Sequence, residues 1–231
     1  MTRPRSPAGH ELLDDPQADP AQVAEALRNI VRSNRWFGGR SALRWALGRV
    51  LRPVAPGAQL TLLDVGTGSG DLPRDLALVA RRHGVALRPV GLELNATAAR
   101  IASMAGVPTI LGSANELPVR DRSVDIVTMS QLLHHLDEDR AVELLRATTR
   151  VARRAVIVAD LERSATACAA FRVGALALRF DASTRADGIT SIARGFRPAE
   201  LVELCREAGI HVVVHRRPFF RLVALWPAGA A

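Results

Sequence analysis

An apolar run that enters a glycine-rich turn and continues as a helix constrains this chain more than any other feature. Leu62-Leu63-Asp64-Val65 reads as a strand, Gly66-Thr67-Gly68-Ser69-Gly70 as the turn, and Asp71 opens a helical pattern. Glycine in such a turn allows φ > 0 and close approach of backbone to a ligand, while the following helix presents free N–H groups at its start. That suits a nucleotide-like ligand or a carboxylate. Spacing narrows the choice. A dinucleotide fingerprint needs a third glycine at the sixth position counted from Gly66, which is Asp71 here; the third glycine, Gly70, falls one place earlier. A phosphate-cradling Gly-Lys loop is excluded, because the chain contains no lysine.

Around this motif the chain alternates short apolar runs with helical patterns, the order expected of a parallel sheet. The strand candidates are 60–65, 89–94, 109–111, 124–130 and 155–160, with helices over 71–83, 95–105, 137–152 and 198–208. Two amphipathic helices precede them. Asp19-Pro20 caps the first, which carries Val23, Leu27, Ile30 and Val31, and Ser41 caps the second, with Leu43, Leu47, Val50 and Leu51. The tail breaks the alternation. There Ile210 to His215 and Phe219 to Trp226 are strand-like, and Arg216-Arg217-Pro218 is too short for a helical crossover, so the pair forms an antiparallel hairpin. The fold expected is α/β, a Rossmann-like doubly wound sheet of about seven strands, mostly parallel, with N-terminal helices. Residues 1–18 are expected to be loosely ordered, 19–57 to form a helical cap, and 58–231 the main domain, with an insertion at 161–197 near the active site. The polar part of that insertion, Asp181 to Arg194, reads as a surface loop.

The two cysteines, Cys168 and Cys205, have no second cysteine or histidine at metal-ligand spacing, so they read as core residues and no metal is expected. The 231 residues include no signal peptide and no apolar stretch of membrane length, which points to a cytoplasmic protein. The net charge of +8 comes from 31 basic residues, all arginine, against 23 acidic ones. They are scattered, without the interleaved aromatics or basic arm of a nucleic-acid binder, so nucleic acid is not an expected partner.

The pattern Asp64-x-Gly66-x-Gly68-x-Gly70 resembles the first motif of the class I S-adenosylmethionine-dependent methyltransferases, and Glu93, at the end of the next strand, agrees with their second acidic position. A carboxylate there can accept both hydroxyl hydrogens of a ribose. Gly112-Ser113-Ala114-Asn115-Glu116-Leu117-Pro118, followed by Ser123-Val124-Asp125-Ile126-Val127 and Leu132-Leu133-His134-His135-Leu136, is similar to the ubiquinone/menaquinone-biosynthesis branch, which acts on small molecules. The resemblance implies that S-adenosylmethionine is bound by Asp64, Gly66, Thr67, Gly68, Gly70, Glu93, Leu94, Ser113, Ala114, Asn115 and Ser130. Ser113 stands where the family has an acid, so Asn115 or backbone is expected to meet the exocyclic amine instead. Ser130-Gln131-Leu132-Leu133 departs from the Asn-Pro-Pro-aromatic sequence of enzymes that methylate nucleobase or glutamine amides.

Attack on a sulfonium methyl needs mainly alignment and exclusion of water. A hydroxyl acceptor also needs a base, for which His134 and His135 are the candidates; adjacent residues point differently, so one is expected to face the pocket, and His135 is preferred. Trp36 and Phe37 read equally well as a mobile lid or as two buried rings of a helix-turn-helix, and Arg194 is a candidate polar contact to substrate. The function expected is methyl transfer to an oxygen, or carbon, of a small hydrophobic aromatic or polyketide/quinone-like molecule in secondary metabolism, by a monomer or homodimer. An RNA methyltransferase and a non-catalytic S-adenosylmethionine-binding subunit are the alternatives.

Overall fold

The computed structural model describes residues 11–15 and 17–228. Its centre is β1 (Gln59–Val65), flanked in parallel by β2 (Ala86–Glu93) and β4 (Val124–Ser130). Outward lie β3 (Thr109–Leu111) beyond β2 and β5 (Ala152–Leu161) beyond β4, both parallel. β7 (Arg221–Pro227) then pairs antiparallel with both β5 and β6 (Val214–Arg217), completing the order β3-β2-β1-β4-β5-β7-β6. The strand order reverses between β1 and β4, which opens the ligand crevice of doubly wound sheets at the carboxyl ends of these two strands.

Both faces of the sheet are covered, which is why its central strands are apolar on consecutive residues. On one face Leu63, Val127, Met129, Val156 and Val158 pack with Leu144 and Leu145 of α5 (Glu138–Val151) and Leu201 and Leu204 of α8 (Pro198–Glu207). On the other, Leu60, Leu62, Ile126 and Ile157 meet Leu43 and Leu47 of α2 (Gly39–Leu51) and Leu72 and Leu76 of α3 (Asp71–Arg82). Helix starts follow their caps. Asp19 accepts from Ala21 N–H and Gln22 N–H at α1 (Pro20–Trp36), and Asn95 from Thr97 N–H and Ala98 N–H at α4 (Ala96–Met104).

Three sequence expectations change. The expected surface loop at Asp181 to Arg194 is helix α7 (Ala182–Arg194), packed on α6 (Ala165–Ala177). Asp181 caps α7 by accepting from Thr184 N–H, and the insertion is clipped at its base where Phe196 N–H donates to Leu161 and Arg163 N–H to Phe196. In the tail hairpin Arg216 and Arg217 lie inside β6 rather than in the connection, and the turn falls on Phe219 and Phe220, at φ 62° and 56°. Ser41 lies within α2; Gly38, at φ 82°, precedes the helix and accepts from Ser41 Oγ. Of the start expected to be loosely ordered, residues 1–10 and 16 lie outside the described residues, and Leu12–Asp14 forms a 3-10 turn. Among the described residues no helix is long and apolar enough to cross a membrane.

Candidate active site

The glycine turn leaves β1 with Gly66, Gly68 and Gly70 all at positive φ (72°, 56° and 72°). At Gly70 a side chain is doubly barred: besides the φ, a Cβ would stand 3.0 Å from Val107 Cγ2. Two acids set the turn. Asp64 accepts from Thr128 Oγ1 at 2.6 Å and Thr67 Oγ1 at 2.9 Å, fastening the turn to β4. Burial, helped by the charges of Asp71 and Glu93, pushes its carboxyl up to about 7 against those two hydroxyls. Asp64 therefore sits behind the turn, a positioning group rather than a surface of the crevice. Glu93 accepts from Gly68 N–H at 2.8 Å, Leu94 N–H at 2.9 Å and Asn95 N–H at 3.0 Å. A carboxylate has about four acceptor sites, so capacity remains for one further donor.

Beyond the turn opens a cavity of about 380 Å³ whose lining joins Gly66, Thr67, Gly68 and Ser130 to His134, His135, Trp36 and Phe37. Of the other sequence-predicted residues, Asp64, Gly70, Glu93, Leu94, Ser113, Ala114, Asn115 and Arg194 lie outside this lining. Leu94 is exposed, Ser113 Oγ accepts from Asn115 N–H, and Ala114 packs on the core.

The histidines differ from expectation in one respect: both line the cavity. A 3-10 turn, Leu133–His135, stacks their rings with centroids 4.2 Å apart. His134 is buried and its Nδ1 lies 2.6 Å from Asp160 Oδ1, at the end of β5. Asp160 also accepts from Leu133 N–H and Leu161 N–H; burial would raise its carboxyl, but His134 outweighs that and holds it low. His135 Nδ1 lies 2.7 Å from Asp14 Oδ1, and its Nε2 3.8 Å from Glu11 Oε2. Burial works to lower the His135 pKa, yet the Asp14 bond and the charges of Glu11 and Asp14 raise it above the ordinary value. Asp14 is pushed up by burial too, and His135 and Arg194 together pull it well below the carboxylate range.

Arg194, expected as a polar contact to substrate, donates through Nη1 to Glu11 Oε1 at 3.2 Å and Asp14 Oδ2 at 3.1 Å. Among the described residues Glu11, His134 and His135 form one cluster with metal-like spacing, one ligand atom from each lying within 4.8 Å of the others. The one carboxylate of that cluster, Glu11, also receives the Arg194 guanidinium.

The remaining wall is aromatic. Phe37 packs against Phe171 of α6 and Phe180, with centroids 5.4 and 6.5 Å away, and Phe219 and Phe220 close the side formed by the tail hairpin. Gly174 and Gly188 make room for the rings: a Cβ on either would stand 2.5 Å or less from the ring of Phe37 or Phe171. Of the pair read from the sequence, Phe37 enters this wall, whereas Trp36 is 55% exposed at the rim, beneath Arg35. The two halves of the site are tied by a side-chain relay. Asn34 donates to Asp71, Gln131 to Asn34, and Arg221 to Gln131 at 2.7 Å and to the Phe37 carbonyl at 2.7 Å. Burial lowers the Arg221 pKa to about 10.

Residues 63–159 match the family model described as a methyltransferase domain. No curated protein matches the chain by sequence. Among solved structures, a SAM-dependent methyltransferase from Aquifex aeolicus aligns at 18% identity over 91% of this chain and 98% of its own, with TM-score 0.59. Magnesium protoporphyrin IX methyltransferase from Synechocystis, with bound SAM, aligns at 12% identity over 97% and 100%, with TM-score 0.59. An O-methyltransferase from neocarzinostatin biosynthesis, in complex with S-adenosyl-L-homocysteine and 1,4-dihydroxy-2-naphthoic acid, aligns at 20% identity over 94% of this chain and 61% of its own, with TM-score 0.64. The fold is that of the class I S-adenosylmethionine-dependent methyltransferases. On that fold residues 63–159 match a methyltransferase domain, and two of the aligned structures hold SAM or S-adenosyl-L-homocysteine.

Proposed function

We propose that the chain methylates a hydroxyl oxygen, or an activated ring carbon, of a small hydrophobic aromatic or polyketide/quinone-like molecule. One observation carries the reading: a single cavity runs from the glycine turn past two histidines to a wall of phenylalanine rings. The neocarzinostatin-pathway structure holds a hydroxylated naphthoic acid. The residues fit the cofactor. Ser130 Oγ is buried with no hydrogen-bond partner among the described residues, and Gly68 turns backbone toward the crevice at φ 56°. In this reading Glu93 accepts from a ribose hydroxyl with its remaining acceptor site, Gly66 to Gly70 face the amino-acid part, and Leu94, Ser113, Ala114 and Asn115 border the adenine.

Bound S-adenosylmethionine supplies an electrophilic methyl whose transfer leaves a neutral thioether. The protein's task is to hold the acceptor in line and receive its proton. Asp14 fixes a proton on His135 Nδ1, which leaves Nε2 to take the hydroxyl proton as the new C–O bond forms. His134, held by Asp160, backs the His135 ring. The phenylalanine wall keeps water from the reacting oxygen. The same reading places the enzyme in the cytoplasm and in secondary metabolism, as a monomer or homodimer. Incubating the protein with labelled S-adenosylmethionine and a panel of hydroxynaphthalenes, or with bulk tRNA, tests it. Label entering a naphthol is the expected result; label entering only RNA overturns the reading.

A further inference from the structure

The end of the cavity away from the glycine turn is built from α1, α7 and the turn at Leu12–Asp14, and its polar chemistry is one-sided. Glu11, Asn29, Thr184, Asp187 and Ser191 line it beside the phenylalanines. Nearly every group there is already matched by protein. Glu11 receives Arg194 and Ser191 Oγ; Asp14 receives His135 and Arg194; Asn29 donates to Asp181 and Thr184. Two carboxylates, Glu11 and Asp14, are thus offset by Arg194 and by His135 when it is protonated.

Asp187 is the exception. No ion pair reaches it among the described residues, and the backbone of Leu12 beside it favours its charged form. Burial and the neighbouring charge of Glu11 raise its pKa. Among the described residues the nearby arginines are all engaged elsewhere. Arg194 is spent on Glu11 and Asp14, Arg221 on the Phe37 carbonyl and Gln131, and Arg32 on the Leu178 carbonyl and Asn29.

We infer that Asp187 is a specificity residue that hydrogen-bonds a second hydroxyl of the acceptor, so that the acceptor is an uncharged polyhydroxylated aromatic and carboxylated rings are excluded. The inference rests on the proposed function and sharpens its substrate class. A hydroxyl fits either state of Asp187: it donates to the carboxylate or accepts from the acid. A carboxylate brought beside Glu11 and Asp187 would lose its water without gaining a cation, the costliest form of polar burial. An ammonium group is also poorly served, because the other carboxylates are already paired and its remaining N–H donors would be buried against the phenylalanine rings. The neocarzinostatin-pathway enzyme was solved with an acid; this chain is assigned the corresponding diol chemistry.

The test uses the full chain saturated with S-adenosyl-L-homocysteine near neutral pH, with binding measured by calorimetry. The probes are 1,4-dihydroxynaphthalene under anaerobic conditions, 1,4-dihydroxy-2-naphthoic acid, and 1-naphthylmethylamine. The diol should bind at least about tenfold more tightly than either charged probe, a difference of about 1.4 kcal/mol. Asp187→Asn, which keeps shape and a hydrogen bond but removes the charge, should bring the acid to within about threefold of the diol. Thermal unfolding of the variant confirms that it is folded. Equal or tighter binding of the acid, preference for the amine, no binding of the diol, or an unchanged ratio in Asp187→Asn overturns the inference. Methyl transfer separates this from the reading beneath it. An enzyme that methylates the acid as readily as the diol refutes only the exclusion, whereas label entering RNA and no naphthol refutes the proposed function.

Discussion

The two halves of the cavity are made by different means. The half around the glycine turn is built from contiguous chain: β1, the turn and the start of α3 lie within 59–82, and its partners Glu93 and Thr128 come from strands directly beside β1. The acceptor half is assembled from afar. His135 meets Asp14 across 121 positions, Arg194 meets Glu11 across 183, and Phe37 packs on α6 and Phe180. Backbone geometry dictates the first half; side-chain pairing dictates the second. Substitutions in the first should therefore act on cofactor affinity, and those in the second on turnover and acceptor choice.

The sharpest way to break this division is at the histidines. His135→Ala should lower kcat by about 10²–10⁴-fold for a hydroxyl acceptor with cofactor affinity unchanged. His134→Ala is the neighbouring control, and equal losses in both with lower melting temperatures would mean that the pair is structural. In the other half, Gly68→Val places a β-branched residue at φ 56°, a conformation such residues avoid, where backbone approaches the ligand. Calorimetry should register cofactor binding weaker by about ten- to a hundredfold, since the strain is about 1–3 kcal/mol. A normal affinity would show that the turn is not the cofactor seat.

Glu93→Ala should weaken cofactor binding by about tenfold, the worth of a charged hydrogen bond to the ribose. It also frees three backbone N–H groups, so its melting temperature must be followed in parallel. A variant with unaltered affinity would remove Glu93 from the cofactor site. Smaller still is the effect of pH. Because His135 must be neutral to take a proton and its pKa is raised, kcat should rise with pH through an inflection above the ordinary 6.5. Asp14→Asn, which removes the charge that favours the imidazolium, should move that inflection to lower pH. An inflection that stays in place would dissociate Asp14 from the base.

The same contrast explains what could be read from the sequence. The turn, the acid at Glu93 and the parallel strands were legible because each is a local pattern of glycine spacing or apolar runs. The helix at Ala182–Arg194 was not, for Ile192 is its only buried residue and its face is completed by α6. One local signal was available: Asp181 followed three residues on by Thr184, a capping pair. Nothing near His135 pointed to Asp14 or Glu11, nothing near His134 pointed to Asp160, and Asp187 read as part of a polar loop. Adjacency misled for the histidines because opposite orientations follow only from an extended backbone, whereas the 3-10 turn brings both rings to the cavity.

The sheet's two ends bear on how the molecule behaves in a crowded solution. A strand edge with unpaired backbone groups is a template on which another chain can add itself. Here one edge is β3, only three residues long, and the other is β6, four residues that include His215, Arg216 and Arg217. The first is too short to seat a partner strand, and the second would bring its positive charges against the same charges on a second copy. Growth by edge-to-edge stacking is thus discouraged at both margins, and β5, whose apolar run from Ala155 to Ala159 is buried throughout, is kept inside by β4 on one side and β7 on the other.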